Sequence, residues 1–301
     1  MSQHTDRTED VMSNKNDGGK RSARERMQAE RAKQEAAARK RRQLTVILAA
    51  LVVIAAAVVI GIVVQNGRSS SYNAAADAPA GTVGNTRLLI PVGGTTAPST
   101  VTIYEDPRCP ACEQFETGMK STINQLLAQG KIQIQYHIAS FIDRHDGGKG
   151  SKNAANALAC AQNVGLFHNY HDVLYANQPD ETNDAWADKT ILISLAKQVP
   201  GLDSPAFESC VNNNTYGSWV TAVQSDFDKS GYNSTPTVLL NGTSAYSTYN
   251  GEDISPANFT KWVDTANKGK PLASIPSASA QALASPTAHN NLPASAGAGH
   301  S

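Results

Sequence analysis

The sequence predicts an α/β domain with a helical insertion, carried outside a membrane on a single N-terminal transmembrane helix. Three observations point there. An uncharged apolar run of 21 residues, Leu44 to Val64, follows a basic stretch. Beyond it, two strand-like segments flank an amphipathic helix that opens on Cys109-Pro110-Ala111-Cys112. A helical stretch from about 150 to 231 then gives way to strand-like sequence at Pro236 to Leu240.

The net charge of zero hides an asymmetry. Residues 1–43 hold 12 Lys and Arg against 7 Asp and Glu, and residues 44–301 hold 14 against 19. The sign changes at the apolar run, which as a helix is about 30 Å long and matches a hydrocarbon core. Arg39-Lys40-Arg41-Arg42 directly precedes it, so the N-terminus is expected in the cytoplasm and everything after Val64 outside. A cleaved signal peptide, with Ala74-Ala75-Ala76 as the cleavage site, is the alternative, although the apolar region exceeds the usual signal length. Residues 1–43 are expected to be a largely disordered basic tail. Its Lys/Arg cluster reads as a topology determinant and not as a nucleic-acid site. Residues 65–84, rich in Ser, Gly, Ala and Asn, read as a flexible linker.

The folded domain is expected over 85–268. Leu88 to Val92 suggests a first strand ended by Pro91 and Gly93-Gly94, and Thr100 to Tyr104 a second. The following helix runs to about Gln129, with Phe115, Met119, Ile123 and Leu126 or Leu127 on one face and Gly130 to end it. Ile132 to Tyr136 alternates as a half-buried strand. In the insertion, Ala154–Val164, Phe167–Ala176, Trp186–Gln198, a helix capped by Ser204 before Pro205, and Tyr216–Lys229 are the helices expected. Asn241-Gly242 then marks a hairpin between Pro236–Leu240 and Ala245–Tyr249, and a helix from Ser255 or Pro256 to Asn267 closes the domain. Residues 269–301, rich in Ala, Ser and Pro, are expected to be disordered.

The chemistry centres on the two cysteines. A helix N-terminus leaves backbone N–H groups unpaired and carries a partial positive charge. A thiolate at Cys109 is stabilised there, and the thiolate is the form that attacks disulfides. Arg108 adds a formal positive charge in the sequence, and Pro110 suits the first helical turn. Cys112, one turn on, is the natural resolving thiol. Half of a zinc site or a structural disulfide would use the same spacing. Zinc needs four ligands, and Cys160 and Cys210 stand apart from this pair and from each other, so no metal site is expected.

Taken together, Cys109-Pro110-Ala111-Cys112, Asn153-Ala154-Ala155 through Cys160-Ala161, Tyr170-His171, and Ser234-Thr235-Pro236 through Asn241-Gly242 carry a family likeness. The chain from about Asn85 to Asn267 resembles the DsbA-like branch of thioredoxin-fold thiol–disulfide oxidoreductases, in a membrane-anchored bacterial form of actinobacterial type. The resemblance implies that Cys109 attacks and Cys112 resolves. It also implies that Pro236 is a cis-proline facing the dithiol and that Thr235 presents backbone groups to an extended substrate. Ala111 departs from those family members that carry histidine before the second cysteine. Thiolate tuning then falls to Arg108, Pro110 and the helix terminus.

Cys160 and Cys210 both lie in the insertion, outside the cytoplasm on this topology, and are expected to pair as a structural disulfide. Two buried free thiols and a second redox pair are the alternatives. Glu105 and Asp106 read as surface turn residues, with a proton relay to Cys112 as the other possibility. His137, His145, His168 and His171 read as helix-surface histidines. The functional expectation is an extracytoplasmic oxidase, monomeric and free of bound cofactor, that puts disulfides into exported proteins with free cysteines. By family analogy a quinone-linked membrane partner reoxidises it. A reductase, for example in cytochrome maturation, and a redox-inactive peptide-binding module are the alternatives.

Overall fold

The computed structural model describes residues 72–275. The basic tail 1–43, the apolar run 44–64, residues 65–71 and residues 276–301 lie outside the described residues. Among the described residues no helix is long and apolar enough to cross a membrane.

The order of elements begins with a short helix α1 (Ala74–Asp77), then β1 (Ile90–Gly93), β2 (Ser99–Glu105), α2 (Pro110–Ala128) and β3 (Ile132–Ile138). Helices α3 (Ile142–His145), α4 (Gly150–Asn163), α5 (Phe167–Ala176), α6 (Lys189–Ala196), α7 (Pro205–Asn212) and α8 (Gly217–Lys229) follow. Strands β4 (Thr237–Leu240), β5 (Thr243–Ser244), β6 (Thr248–Tyr249) and β7 (Glu252–Asp253) and helix α9 (Pro256–Ala266) complete it.

Five strands form one sheet in the order β1-β3-β2-β4-β5. The β2–β3 pair is parallel, joined through α2, and β1 and β4 run antiparallel to their neighbours. Pro91 does not end the first strand. It lies within β1 opposite Gln135, which the edge position of β1 permits because a proline there need not donate to a second neighbour. The alternation in Ile132–Tyr136 suggested a half-buried strand, yet Gln133 and His137 are buried as well, since β3 lies inside the sheet and helices pack on it.

Helix α2 buries Phe115, Met119, Ile123, Leu126 and Leu127, the face its periodicity predicted. Each such side chain contributes about 1.5–3 kcal/mol on burial. Gly130 ends the helix at φ +66°, and its carbonyl accepts from Ala273 N–H at 2.9 Å. Residues 270–275 therefore lie along the domain, a correction to the disorder expected from 269 onward; Ala273 is buried.

The linker expected over 65–84 needs the same correction from Tyr72. Tyr72 hydroxyl donates to Thr86 O at 2.7 Å, Gln162 Nε2 to Ala80 O at 2.8 Å, and Trp219 Nε1 to Arg87 O at 3.0 Å. Small polar residues here allow close docking onto the insertion, which composition alone reads as flexibility.

The insertion starts earlier than expected, at Ile142, and its Trp186 lies in a single 3₁₀ turn before the Asp188-capped α6. Among the described residues two Asn-Gly pairs make turns with positive φ: Asn241-Gly242 joins β4 to β5, and Asn250-Gly251 joins β6 to β7. The run Ala245–Tyr249 is thus split, its end belonging to a separate two-stranded ribbon.

Within the insertion, Cys160 of α4 and Cys210 of α7 form a disulfide with Cα atoms 6.0 Å apart. It closes a loop of separation 50. Replacing both cysteines by alanine is expected to cost about 2–4 kcal/mol, read as a lowered urea midpoint in equilibrium unfolding.

Candidate active site

Strand β2 ends at Glu105, and Asp106 to Cys109 turn the chain into α2. Cys109 is the N-cap residue and Pro110 the first helical residue. Cys109 and Cys112 are free thiols; Cys109 is 7% exposed and Cys112 is fully buried. Ile142 and Tyr175 pack around the pair, with half-buried Ala111 and Phe141 beside them. The Thr235–Pro236 peptide is cis, and Thr235 O accepts from Cys109 Sγ at 3.3 Å. Residues 126 positions apart thus meet across the site.

The two sulfurs differ in acidity. A hydrogen bond from the Cys112 thiol, set against burial, brings Cys109 down to about 6. The Thr235 side chain beside it and the backbone N–H groups of Cys112 and Ala111 add to this. Burial, then Cys109 and the Glu105 carboxylate, push Cys112 well up. Ala111 and Pro110 act on Cys109 by presenting the helix terminus.

Arg108 does something other than the sequence suggested. Its Nη1 donates to Asp143 Oδ1 at 2.9 Å and Gly147 O at 3.0 Å and lies 3.2 Å from Asp184 Oδ1, while Nη2 donates to Glu181 O at 2.8 Å. The guanidinium is only 3% exposed and is committed to these oxygens, so Arg108 ties the insertion to the active-site loop. Gln178 completes the tie, donating to Pro107 O at 2.7 Å and Cys109 O at 3.1 Å.

Glu105 and Asp106 are fully buried and not surface turn residues. Asp106 accepts from Arg108 N, Ile142 N and Ser151 Oγ, each at 2.8 Å. Burial pushes its carboxyl up to about 7 against these three donors, which favour the anion. Glu105 Oε1 accepts from His171 Nε2 at 2.7 Å, and His171 is fully buried. Burial alone would lower His171, but Glu105, Asp172 and Glu116 carry it up to about 10. His137 is also buried, 3.1 Å from Asp226 Oδ2, and His168 is half-buried against Asn124; of the four histidines His145 alone is exposed. The insertion folds over these side chains, which local sequence does not reveal.

Glu105, Glu116 and His171 bring ligand-type atoms within 4.8 Å of one another. His171 Nε2 is already engaged by Glu105, which makes the group an ion pair with a second carboxyl beside it. Glu116, Gln178 and Asp143 were missed in the sequence. Glu116 had a signal: one turn after Cys112, it shares the apolar face of α2 with Phe115 and Met119.

A buried dithiol at a strand-to-helix junction, faced by a cis-proline, on a sheet interrupted by a helical insertion defines a DsbA-like thioredoxin fold. Residues 86–265 match the family model described as Thioredoxin, and the chain belongs to that family, in its DsbA-like branch. Disulfide bond formation protein D of Bacillus subtilis is 27% identical over 153 residues, covering 50% of this chain and 66% of that protein. Serine/threonine-protein kinase PknE of Mycobacterium tuberculosis is 27% identical over 128 residues, 40% of this chain and only 22% of the kinase. Among solved structures, DsbA from Mycobacterium tuberculosis superposes with TM-score 0.51 at 23% identity, covering 65% of this chain and 98% of that one. MdbA from Actinomyces oris does so with TM-score 0.52 at 22% identity, covering 68% and 97%. These structural likenesses are of fold.

Three measurements check the site. Iodoacetamide alkylation of Cys109 should show a midpoint near pH 6, with Cys112 unreactive in the folded protein. Because the folded value lies below the ordinary thiol value of about 8.5, Cys109 stabilises the reduced protein fully above that pH. That contribution is lost as pH falls through about 6, and melting curves against Cys109→Ser should show it. Arg108→Met takes the guanidinium from the buried Asp143 carboxyl, leaving it the Ser151 and Lys152 N–H donors, and should cost about 3–5 kcal/mol in denaturant unfolding. The Cys109 alkylation midpoint should stay where it is.

Proposed function

We propose that the protein is an extracytoplasmic thiol–disulfide oxidoreductase that introduces disulfides into exported proteins through Cys109 and Cys112. The observation that carries this reading is the asymmetry of the two sulfurs. At pH 7 a thiol titrating at about 6 is about nine-tenths thiolate, and a stabilised thiolate favours the reduced enzyme. A dithiol whose reduced form is favoured gives its disulfide away.

In the reaction, a substrate thiolate attacks Cys109 Sγ of the Cys109–Cys112 disulfide, and Cys112 leaves with the electron pair. A second substrate thiolate attacks the substrate sulfur of the mixed disulfide. The substrate disulfide forms and Cys109 departs as its stabilised thiolate. Thr235, beside Cys109, offers backbone groups along which an extended substrate segment lies, with Pro236 holding that backbone against the sulfur. The dithiol itself carries the electrons. The name of the Bacillus subtilis relative, a disulfide bond formation protein, supports this direction of flow. The uncharged run Leu44–Val64 after Arg39–Arg42 supports a single-pass membrane anchor with the domain outside. A quinone-linked membrane protein is the reoxidant by family analogy.

The test is redox equilibrium of the full-length protein with glutathione buffers. A potential well above about −200 mV supports disulfide donation, whereas a value near about −270 mV overturns it in favour of a reductase. With a reduced two-cysteine peptide, oxidase turnover should vanish in Cys109→Ser. Cys112→Ser, first linked through Cys109 to a one-cysteine peptide, should persist as a mixed disulfide on non-reducing gels, because no second thiol of the site or of the peptide remains to resolve it.

A further inference from the structure

Two properties of the dithiol pull in opposite directions. An incoming thiolate that attacks Cys109 Sγ leaves the electron pair on Cys112. Attack on Cys112 Sγ leaves it on Cys109, the more acidic thiol and so the better leaving group. Leaving-group chemistry alone therefore directs attack to Cys112. Access directs it to Cys109, because Cys112 is fully buried and Cys109 is not. Whatever holds the cover on Cys112 decides which sulfur a substrate meets.

Part of that cover is the segment 140–144, where the chain leaves β3 for the insertion. Buried Ile142 and half-buried Phe141 pack on the two cysteines. Asp106 holds the segment from the dithiol side, accepting from Ile142 N at 2.8 Å. Helix α8 holds it from the other side. Gln224 Oε1 accepts from Ser140 N at 2.7 Å, the Phe227 ring meets Phe141 edge-on with centroids 5.8 Å apart, and Asp228 pairs with Arg144. Residues 224, 227 and 228 share one face of α8 and meet residues 140, 141 and 144 in the same order. Gln224 also ties the two ends of this clamp together, since its Nε2 donates to Asp228 Oδ1 at 2.8 Å. Ser140 and Gln224 are both buried, so without the amide the Ser140 N–H has no water to turn to.

Resting on the dithiol reading above, we propose that Gln224, supported by Phe227 and Asp228, is a positioning residue that keeps residues 140–144 over Cys112 and so directs substrate thiolates to Cys109. It acts on access and not on the sulfurs themselves. With the cover held, the substrate sulfur bonds to Cys109 Sγ, the Cys109–Cys112 bond breaks, and the electron pair goes to Cys112 beneath the cover. With the cover loosened, the same thiolate bonds to Cys112 Sγ and the pair goes to Cys109. The last helix of the insertion thus chooses the sulfur that reacts, 84 positions along the chain from the loop it holds.

The experiment uses the full-length protein in detergent micelles. The oxidised form is mixed with a one-cysteine peptide and quenched with acid, and fragmentation mass spectrometry locates the peptide on Cys109 or Cys112. The reduced form is labelled with iodoacetamide and mapped in the same way. In the wild type the peptide and the first label should both sit on Cys109. Gln224→Met keeps the side-chain length and removes the acceptor. Cys112 of its reduced form should be labelled about tenfold faster than in the wild type, the change in local opening that an unpaired buried N–H brings. Part of the peptide should move to Cys112. Gln224→Glu combined with Asp228→Asn exchanges donor and acceptor between the two positions, keeps an acceptor for Ser140 N, and should return both readouts to wild type. Wild-type labelling and adduct position in Gln224→Met overturn the proposal. So does Cys112 labelling that rises only in step with global unfolding in urea, or that stays raised in the exchanged pair, since the Ser140–Gln224 bond then does not hold the cover. An oxidised wild type that forms no adduct with the peptide overturns the dithiol reading itself, while labelling of the reduced form still judges the cover.

Discussion

Backbone N–H groups of Ala111 and Cys112, left unpaired at the start of α2, bear on the Cys109 sulfur and help hold it as a thiolate. The surrounding structure serves that arrangement. Strand β2 delivers the chain to the junction, Pro110 opens the helix without wasting a donor, and the buried face of α2 anchors its far end on the sheet. Thr235, brought from the far side of the insertion by the β2–β4 pairing, closes the site from above.

Holding the helix terminus in place needs a rigid approach loop, and the loop is built from buried polar groups. Asp106 gathers Arg108 N, Ile142 N and Ser151 Oγ, while Arg108 and Gln178 reach the backbone of two neighbouring loops. Buried ion pairs add little net stability over well-packed apolar side chains, but removing one partner is costly. Such a network therefore favours one conformation over others. The insertion supplies most of the partners, from Asp143 to Glu181 and Asp184, so the dithiol and the insertion fold as one piece of chemistry.

Legibility in the sequence followed the range of the forces involved. The apolar face of α2, the Ser204 cap and the Asn241-Gly242 turn are local and were readable from spacing. The dithiol was readable because C-x-x-C, a strand before it and a helix after it lie within a few residues of one another. Burial of Glu105, Asp106 and His171 was not, because a charged residue near a turn looks solvated until a distant segment covers it. Arg108 misled for a related reason: proximity in sequence suggested a partner for the thiolate, while Asp143, 35 positions away, claims the guanidinium. The docking of residues 72–84 and 270–275 was hidden in the same way, since small polar residues carry no periodicity whether they are free or packed.

By itself, then, the sequence determined the strand-helix-strand unit around the dithiol, the longer helices of the insertion and the dithiol's position at a helix N-terminus. It did so because hydrophobic period, capping and turn chemistry act between residues a few positions apart. The tertiary structure alone decided which polar groups are buried, where Arg108 points, and that His171 pairs with Glu105. Those outcomes depend on which surfaces lose their water when the insertion closes on the sheet, and desolvation is a property of the assembled fold.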